Sequence, residues 1–390
     1  MKDRYLAATM LDDLRDRKMV FIGGPRQVGK TTLATGIVGA NFKRSVCYNW
    51  DNRADRKTIS ASAWPGDADL IVLDELHKLK KWKSFLKGEY DKLKEKYCFI
   101  VSGSARLDVF RKGGDSLQGR YHHYRLHPFS LAELSGQINT HKVREELPIP
   151  SANAADMLNE LDRFGGFPEP LLKRNERFSR RWHNEKIERL FRDDIADLAL
   201  IRDLNSMKLL SEMLPARVGS LLSINALRTD LEVSHKAVSH WLDVLETFYY
   251  HYRVYPLASK AIRSLKKEPK LYLWDWSELT EPAARFENLV ASHLLKFVHY
   301  LHDYDGYNCE LYFLRDLDQR EVDFLVTIDR KPWFAVEVKL SDTSVSPALR
   351  LFKRNWGIPY CYQVVRTTGV DVLASDIRVV SADRFLLSLV

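Results

Sequence analysis

The chain is short of cysteine, of uncharged apolar runs and of negative charge, and each shortage narrows what it can be. Its four cysteines, Cys47, Cys98, Cys309 and Cys361, lie far apart and form no C-x-x-C pair. That spacing argues against a disulfide framework or a zinc centre and favours a reducing compartment. No uncharged stretch approaches the roughly 18 residues that suggest a membrane span. Met1-Lys2-Asp3-Arg4 does not open a cleavable apolar signal. A soluble, cytoplasmic protein with no membrane partner is therefore expected. Acidic residues are outnumbered, with 52 Asp and Glu against 60 Lys and Arg, a formal charge of +8. The excess favours a polyanionic partner, although basic surface also serves solubility and anionic membranes. Internal repeats and low-complexity tracts are absent from the sequence.

What is present is ample core material. With 390 residues, 45% of them hydrophobic, the chain can build two or three separately cored domains. Residues 1–150 alternate short apolar runs with helical patterns, which predicts an α/β sheet with helices on its faces. Met19-Val20-Phe21-Ile22 leads into Gly24-Pro25-Arg26-Gln27-Val28-Gly29-Lys30-Thr31, a complete G-x-x-x-x-G-K-[ST] phosphate loop. Thr32-Leu33-Ala34 then continues as a helix. Backbone N–H groups of such a loop cradle phosphates at a helix N-terminus, while Lys30 reaches the β- and γ-phosphates and the Thr31 hydroxyl holds Mg²⁺. ATP and Mg²⁺ are the expected cofactors.

Hydrolysis also needs carboxylates at the end of a neighbouring buried strand. The continuous apolar run at residues 70–73 reads as such a strand, and it ends in Asp74-Glu75. Asp74 is the expected metal holder and Glu75 the group that polarises water. A third run, Tyr97-Cys98-Phe99-Ile100-Val101, ends at Ser102-Gly103-Ser104. There Ser102 or Ser104 is a candidate reporter of the γ-phosphate, and a simple turn is the alternative.

Residues 156–164 and 177–200 look helical, separated by Gly165-Gly166-Phe167-Pro168-Glu169-Pro170, either a hinge or a plain connection. Between residues 221 and 257 a short capped helix, a turn, a longer helix and the alternating segment Phe248-Tyr249-Tyr250-His251-Tyr252-Arg253-Val254-Tyr255 together resemble a winged helix. Its exposed face would carry His235, Lys236, Ser239 and His240, suited to DNA, although winged helices also serve as protein-binding modules and lids. Residues 173–192 and 78–96 each hold eight basic residues against three acidic ones. Such runs add phosphate contacts or are simply solvated helix faces.

The last third carries a second chemistry. In Glu321-Val322-Asp323-Phe324-Leu325-Val326, strand alternation puts Glu321 and Asp323 on one face. Thirteen residues separate Asp323 from Glu337, which with Lys339 shares a face of the next strand. A hairpin would gather Asp323, Glu337 and Lys339, two carboxylates and an ammonium of the kind a metal-dependent nuclease uses. Glu287 sits at the start of an amphipathic helix as a further acidic ligand. A surface Glu–Lys pair is the plain alternative.

The segments GPRQVGKTT, LDELHK, SGS and LQGRYHHYRLHPFSLAEL, with GGFPEP, KKEPKLYLWD, RFENLVASHLL, EVDF and EVK, resemble a prokaryotic AAA-type P-loop ATPase family. In that family the ATPase module precedes a C-terminal region labelled a domain of unknown function. That region is similar to PD-(D/E)XK nucleases, which implies acidic roles for Glu287, Asp323 and Glu337, with Lys339 as the basic partner and Mg²⁺ or Mn²⁺ as the metal. One departure is that Val322, not proline, precedes Asp323. The resemblance also implies an arginine supplied by a neighbouring subunit of a homo-oligomer. Arg120 is the leading candidate, with Arg106 and Arg111 as competitors. The expected fold is α/β: an AAA-type P-loop domain over residues 1–150, a helical and winged-helix region over 151–262, and a restriction-endonuclease-like domain over 263–390. The expected function is ATP hydrolysis coupled to DNA binding and metal-dependent DNA cleavage, with branched or junction DNA as a suitable substrate. The alternative is a nucleotide-dependent switch with an inert nuclease-like domain.

Overall fold

The computed structural model describes residues 4–104, 117–137, 139, 141–196, 203–257 and 268–390. The described chain packs as two compact units. One is drawn from Met1–His127, Arg192–Leu200 and Thr247–Tyr249, the other from Pro128–Phe191, Ile201–Glu246 and Tyr250–Val390.

In the first unit the expected buried runs become a five-stranded sheet of β1 (Met19–Gly23), β2 (Ser45–Asn49), β3 (Leu70–Asp74), β4 (Cys98–Gly103) and β5 (Tyr121–Arg125). The order is β2-β3-β4-β1-β5 and every pairing is parallel. Parallel strands need crossover connections, so β1, β3 and β4 are buried along their whole length. Phe21, Ile71, Leu73, Phe99 and Val101 pack with Ile59, Trp82 and Leu86, which lie on the Arg53–Ser60 and Trp82–Leu93 helices. The register pairs Gly23 with Gly103 and Asp74 with Ser102. Phosphate loop, acidic pair and serine turn therefore emerge together at the carboxyl ends of neighbouring interior strands. β1 lies between β4 and β5, where the strand order reverses, and ligand crevices form at the carboxyl ends of strands at such points.

The second unit is built on a mixed eight-stranded sheet, ordered β12-β13-β11-β10-β9-β8-β6-β7. Its strands are β6 (His251–Pro256), β7 (Lys270–Leu273), β8 (Cys309–Arg315), β9 (Glu321–Ile328), β10 (Lys331–Lys339), β11 (Tyr360–Val365), β12 (Asp371–Ala374) and β13 (Ile377–Ser381). β8, β9 and β10 form an antiparallel meander, and β11 joins β10 in parallel through the Pro347–Trp356 helix. The Pro282–Asp303 helix precedes the meander and packs on β7, β8 and β10. The two helices take different sides of β10: Phe297 meets Phe334, while Leu349 and Phe352 cluster with Ala335.

The three segments expected with boundaries near 150 and 262 are distributed over the two compact units. The segment before residue 150 belongs to the second unit, where the Trp333 indole donates to the Glu145 carbonyl and the Leu147 amide to the Tyr362 hydroxyl. The segment expected as a β-wing forms β6 within the eight-stranded sheet. It pairs with β7 and β8, and His251, Tyr252 and Val254 are buried, because its aromatic alternation fits a half-covered sheet. The two helices before it form as read, at Ile224–Asp230 and His235–Thr247.

The GGFPEP segment is a close-packed connection and not a hinge. A Cβ on Gly165, whose φ is +75°, would sit 2.7 Å from Ser277 Oγ, and one on Gly166 would sit 2.6 Å from the Phe129 carbonyl oxygen. Only glycine lets these backbones approach.

Candidate nucleotide site and acidic cluster

The first site is built by the loop between β1 and the helical segment that starts at Lys30. A Cβ on Gly24 would lie 2.4 Å from the Leu126 carbonyl oxygen, and Gly29 has φ of +98°. Both glycines are therefore needed for the loop to fold back on itself. Val28 is fully buried, so its side chain anchors the loop. Arg4 clamps it from outside, donating to the carbonyls of Val28 and His127. Lys30 Nζ donates to the Gly24 and Pro25 carbonyls at 2.9 and 2.8 Å, which draws its ammonium across the loop. Burial lowers the Lys30 pKa, although Glu75, Asp74 and Asp194 oppose the shift.

The acidic pair stands where the sequence put it. Asp74 Oδ2 accepts from Thr31 Oγ1 at 3.0 Å, and Asp74 Oδ1 accepts from Ser102 Oγ at 2.6 Å. A hydroxyl and a carboxylate already face each other as Mg²⁺ binding requires, so these residues fit the expected metal. Ser102 thus orients Asp74 directly. Ser104 Oγ similarly donates to Glu75 Oε2 at 3.1 Å. Both serines expected to read phosphate are engaged by the carboxylates, because their turn leaves the sheet beside Asp74. Glu75 adopts a left-handed conformation with φ of +55°. A strained residue of this kind at a strand end is a mark of function when the surroundings fix it. Burial raises the Glu75 pKa against the pull of Lys30.

Two expected members of this site stand elsewhere. Arg26 is turned to Asp194, with Nη1 3.0 Å from Oδ1, because that largely buried carboxylate offers a stronger acceptor than the loop. Arg120 precedes β5, whose first residue Tyr121 pairs with Met19, while Gly23 pairs with Arg125. It lies at the opposite end of the sheet from the loop, roughly 16 Å away at strand spacing, and pairs with Asp91 at 2.8 Å. Arg106 and Arg111 lie outside the described residues. Asn49 was not anticipated; its Nδ2 reaches Asp74 Oδ2 at 3.4 Å. Its place at the end of β2, in register with Asp74, needed the strand order to be visible.

The second site lies where β7, β9 and β10 meet the Pro282–Asp303 helix. The β9–β10 hairpin pairs Phe324 with Val336, and one step further puts Asp323 opposite Glu337. Asp323 Oδ2 accepts the Val338 amide at 2.9 Å, and Lys339 Nζ stands 2.8 Å from Glu337 Oε1. Glu337 is largely buried, and its Oε2 has no hydrogen-bond partner. Glu287 accepts from the Tyr272 hydroxyl at 2.7 Å. Burial, then the charge of Asp323, pushes the Glu287 and Glu337 carboxyls up to about 7.

At the centre stands a residue the sequence reading missed. Lys270 Nζ is 2.6 Å from Glu321 Oε1 and 3.5 Å from both Glu287 Oε1 and Asp323 Oδ1. Burial works against its charge, yet Glu287, Asp323 and Glu321 outweigh it and raise the Lys270 pKa. The expected ligands Glu287, Asp323 and Glu337 are brought to one cluster but lean to different partners. Glu287 leans to Lys270 and Tyr272, Glu337 leans to Lys339, and Asp323 lies between. Among the described residues no three acidic, histidine or cysteine side chains form a ready metal cage. The unpartnered Glu337 oxygen beside Asp323 still fits a cation. The missed signal was alternation in Lys270-Leu271-Tyr272-Leu273, which puts Lys270 and Tyr272 on one face.

The basic runs are partly internal. Lys186 is spent on Asp275 and Glu278, at 2.9 Å each, and Lys78 on Asp51 at 2.7 Å. His235, Lys236 and His240 are exposed as expected, and Ser239 is half-buried.

Residues 16–135 match the model of the AAA domain family. That stretch contains the phosphate loop, Asp74-Glu75 and the serine turn, and it is an AAA-type ATPase domain. Residues 155–280 and 283–384 match two families each described as a domain of unknown function, DUF8612 and DUF4143. An uncharacterized protein of Mycobacterium tuberculosis is 25% identical over 360 residues, covering 89% of this chain and 76% of the relative. An uncharacterized protein of Methanocaldococcus jannaschii is 23% identical over 359 residues, covering 86% and 78%. Among solved structures, the RuvB Holliday junction branch migration motor of Thermotoga maritima aligns with a TM-score of 0.32 at 17% identity, covering 65% of this chain and 90% of that one. No helix among the described residues is long and apolar enough to cross a membrane.

Proposed function

We propose that the chain is an ATP-hydrolysing, DNA-processing protein in which the AAA-type domain works with a second unit that cleaves phosphodiesters. The observation that carries the ATPase half is the Thr31–Asp74–Ser102 hydrogen-bond chain beside Glu75. Lys30 binds the β- and γ-phosphates, Thr31 and Asp74 hold Mg²⁺, and Glu75 orients and polarises the attacking water. Burial raises the Glu75 pKa, which makes its carboxylate a better proton acceptor.

For the second unit, support comes from the helix–three strands–helix–strand order and from the Asp323–Glu337 pairing with Lys339 two residues on. This order and pairing suit a restriction-endonuclease-like site. Asp323 and Glu337 would hold Mg²⁺ or Mn²⁺, which supplies Lewis-acid charge at the scissile phosphate. Lys339, 40% exposed on its side chain, is free enough to meet the phosphate and stabilise the charge that develops there. The exposed His235, Lys236 and His240 are suited to gripping the backbone, with salt-dependent affinity. Arg120 cannot serve its own nucleotide, so a trans role requires a homo-oligomer, and specific ATPase activity should then rise with protein concentration.

A second reading rests on Lys270: an ammonium already fills the centre of the acids, as an inert domain governed by a nucleotide switch would allow. Purified protein incubated with linear, forked and four-way DNA, with Mg²⁺ or Mn²⁺ and with or without ATP, separates the two. Cleavage that is lost in Asp323→Ala and Lys339→Ala supports the nuclease. DNA left intact by wild type under every condition supports the switch.

A further inference from the structure

Four carboxylates meet at the acidic cluster, Glu287, Glu321, Asp323 and Glu337, and three cations answer them. Arg315 pairs with Glu321 at 2.7 Å, Lys339 pairs with Glu337 at 2.8 Å, and Lys270 reaches Glu287, Glu321 and Asp323. Fully ionised, the four carboxylates would exceed the three cations by one charge, and the point left open is the buried, unpartnered Glu337 Oε2. Lys270 itself is only 3% exposed on its side chain. It is carried by β7, whose backbone is fastened by the Gly219 amide to the Leu271 carbonyl and the Leu222 amide to the Pro269 carbonyl. A Cβ on Gly219 would lie 3.2 Å from both Glu287 carboxylate oxygens, so that wall of the cluster is closed by backbone. A second cation cannot simply be added beside Lys270. Like charges a few ångströms apart in a buried site repel strongly, and Asp323, which a metal held between Asp323 and Glu337 would need, is already within reach of Lys270.

We propose that Lys270 is the resident cation of this site: its ammonium holds Glu287, Glu321 and Asp323 together when no metal is bound, and a divalent cation enters by displacing it. The metal half of this statement rests on the nuclease-like reading; the resident-cation half does not. Removing Lys270 leaves the acids unneutralised, which weakens the empty protein and strengthens its hold on a metal. A lysine with a merely structural role produces only the first effect.

The test uses the full, nucleotide-free chain, with Mn²⁺ binding followed by electron paramagnetic resonance and thermal midpoints measured with and without Mn²⁺. Lys270→Met should bind Mn²⁺ about tenfold more tightly than wild type, on the scale by which neighbouring groups tune metal sites. Its midpoint should fall without metal and recover with Mn²⁺. Adding Asp323→Asn should abolish the gain, which assigns it to this cluster and not to the phosphate loop. Lys270→Gln, which keeps a polar group on a similar stem without the charge, should shift affinity in the same direction, and it carries the test if Lys270→Met does not fold. Unchanged or weaker Mn²⁺ binding in the variant that folds overturns the proposal, as does a midpoint that Mn²⁺ fails to raise. If Lys270→Met gains Mn²⁺ while wild type leaves all DNA uncut, the nuclease reading falls and the resident cation stands. If wild type cuts DNA and Lys270→Met shows no gain, the reverse holds.

Discussion

Lys30 and Lys270 are both buried lysines near carboxylates, one in each unit, yet their surroundings are opposite. Lys30 bonds to two backbone carbonyls, with its carboxylates acting only from a distance, so burial prevails and its pKa falls. Lys270 has carboxylate oxygens from three residues within 3.5 Å, and their charge overcomes burial. The first ammonium is under-compensated and gains from any phosphate that arrives. The second is already compensated by the carboxylates it touches. A buried lysine is therefore not informative by itself; what it touches decides whether it waits for a ligand or stands in for one.

The largest expected effect tests the first half of this contrast. Lys30→Ala should lower ATP hydrolysis by roughly two to three orders of magnitude, the scale of removing one preorganised donor to developing charge. It should also weaken nucleotide binding. Glu75→Gln should lose hydrolysis to a similar degree while still binding nucleotide, because the water is no longer polarised. Steady-state phosphate release and a fluorescent-nucleotide titration check both. Hydrolysis retained in Lys30→Ala would remove the contrast at its root.

Stability sharpens the other half. Lys270→Met strands three part-buried carboxylates, and breaking a fully buried ion pair from one side costs about 3–5 kcal/mol, which sets the upper bound here. Lys30→Met gives up hydrogen bonds to two carbonyls and relieves a buried charge, so its cost should be below ~1.5 kcal/mol. Since two units need not unfold together, hydrogen exchange resolved along the chain is the suitable measurement. Protection should fall in β7, β9 and the Pro282–Asp303 helix for the first variant and stay near wild type around β1 and β3 for the second. Equal losses would mean that the two lysines are held alike.

The same contrast explains what could be read in advance. The nucleotide site was legible because its chemistry is local: eight consecutive residues fold one loop, and Asp74-Glu75 and Ser102 each end a run of apolar residues that can only be a buried strand. Asn49 and the true partner of Ser102 escaped, since both depend on strand order. The acidic cluster was half legible. Asp323, Glu337 and Lys339 follow from one hairpin, and Glu287 from a helix start. Lys270 sits more than fifty residues before Asp323 in sequence, at 270 against 323, and reaches it only because the Pro282–Asp303 helix packs on both β7 and β10, the strand paired with β9. The sheet around the β-wing segment escaped for a related reason: alternation identifies a half-covered strand but not what covers it.

The smallest effect concerns protons. In the second unit the Glu337 carboxyl is raised from 4.5 to about 7, first by burial and then by Asp323. A carboxyl whose folded pKa lies above its unfolded one binds its proton more tightly when folded. Its contribution is therefore whole below the unfolded value and is lost as pH rises through the folded one, at ~1.4 kcal/mol for each pH unit between the two values. Wild type should lose stability between pH 5 and 8 through this group, whereas Glu337→Gln, which cannot ionise, should not. Denaturant midpoints at the two pH values should show the variant gaining on wild type at pH 8 and not at pH 5. Glu75→Gln should move the same way in the first unit, since burial raises that carboxyl too, but Glu75 has the Lys30 ammonium as its chief opposing charge and its gain should be smaller. Mn²⁺ should reverse the Glu337 comparison alone, because only the ionised wild-type carboxylate can take up the cation. A pH-independent difference between Glu337→Gln and wild type would mean that the Asp323–Glu337 pair is not the under-neutralised point of the cluster, and that the missing positive charge must be sought at Glu287.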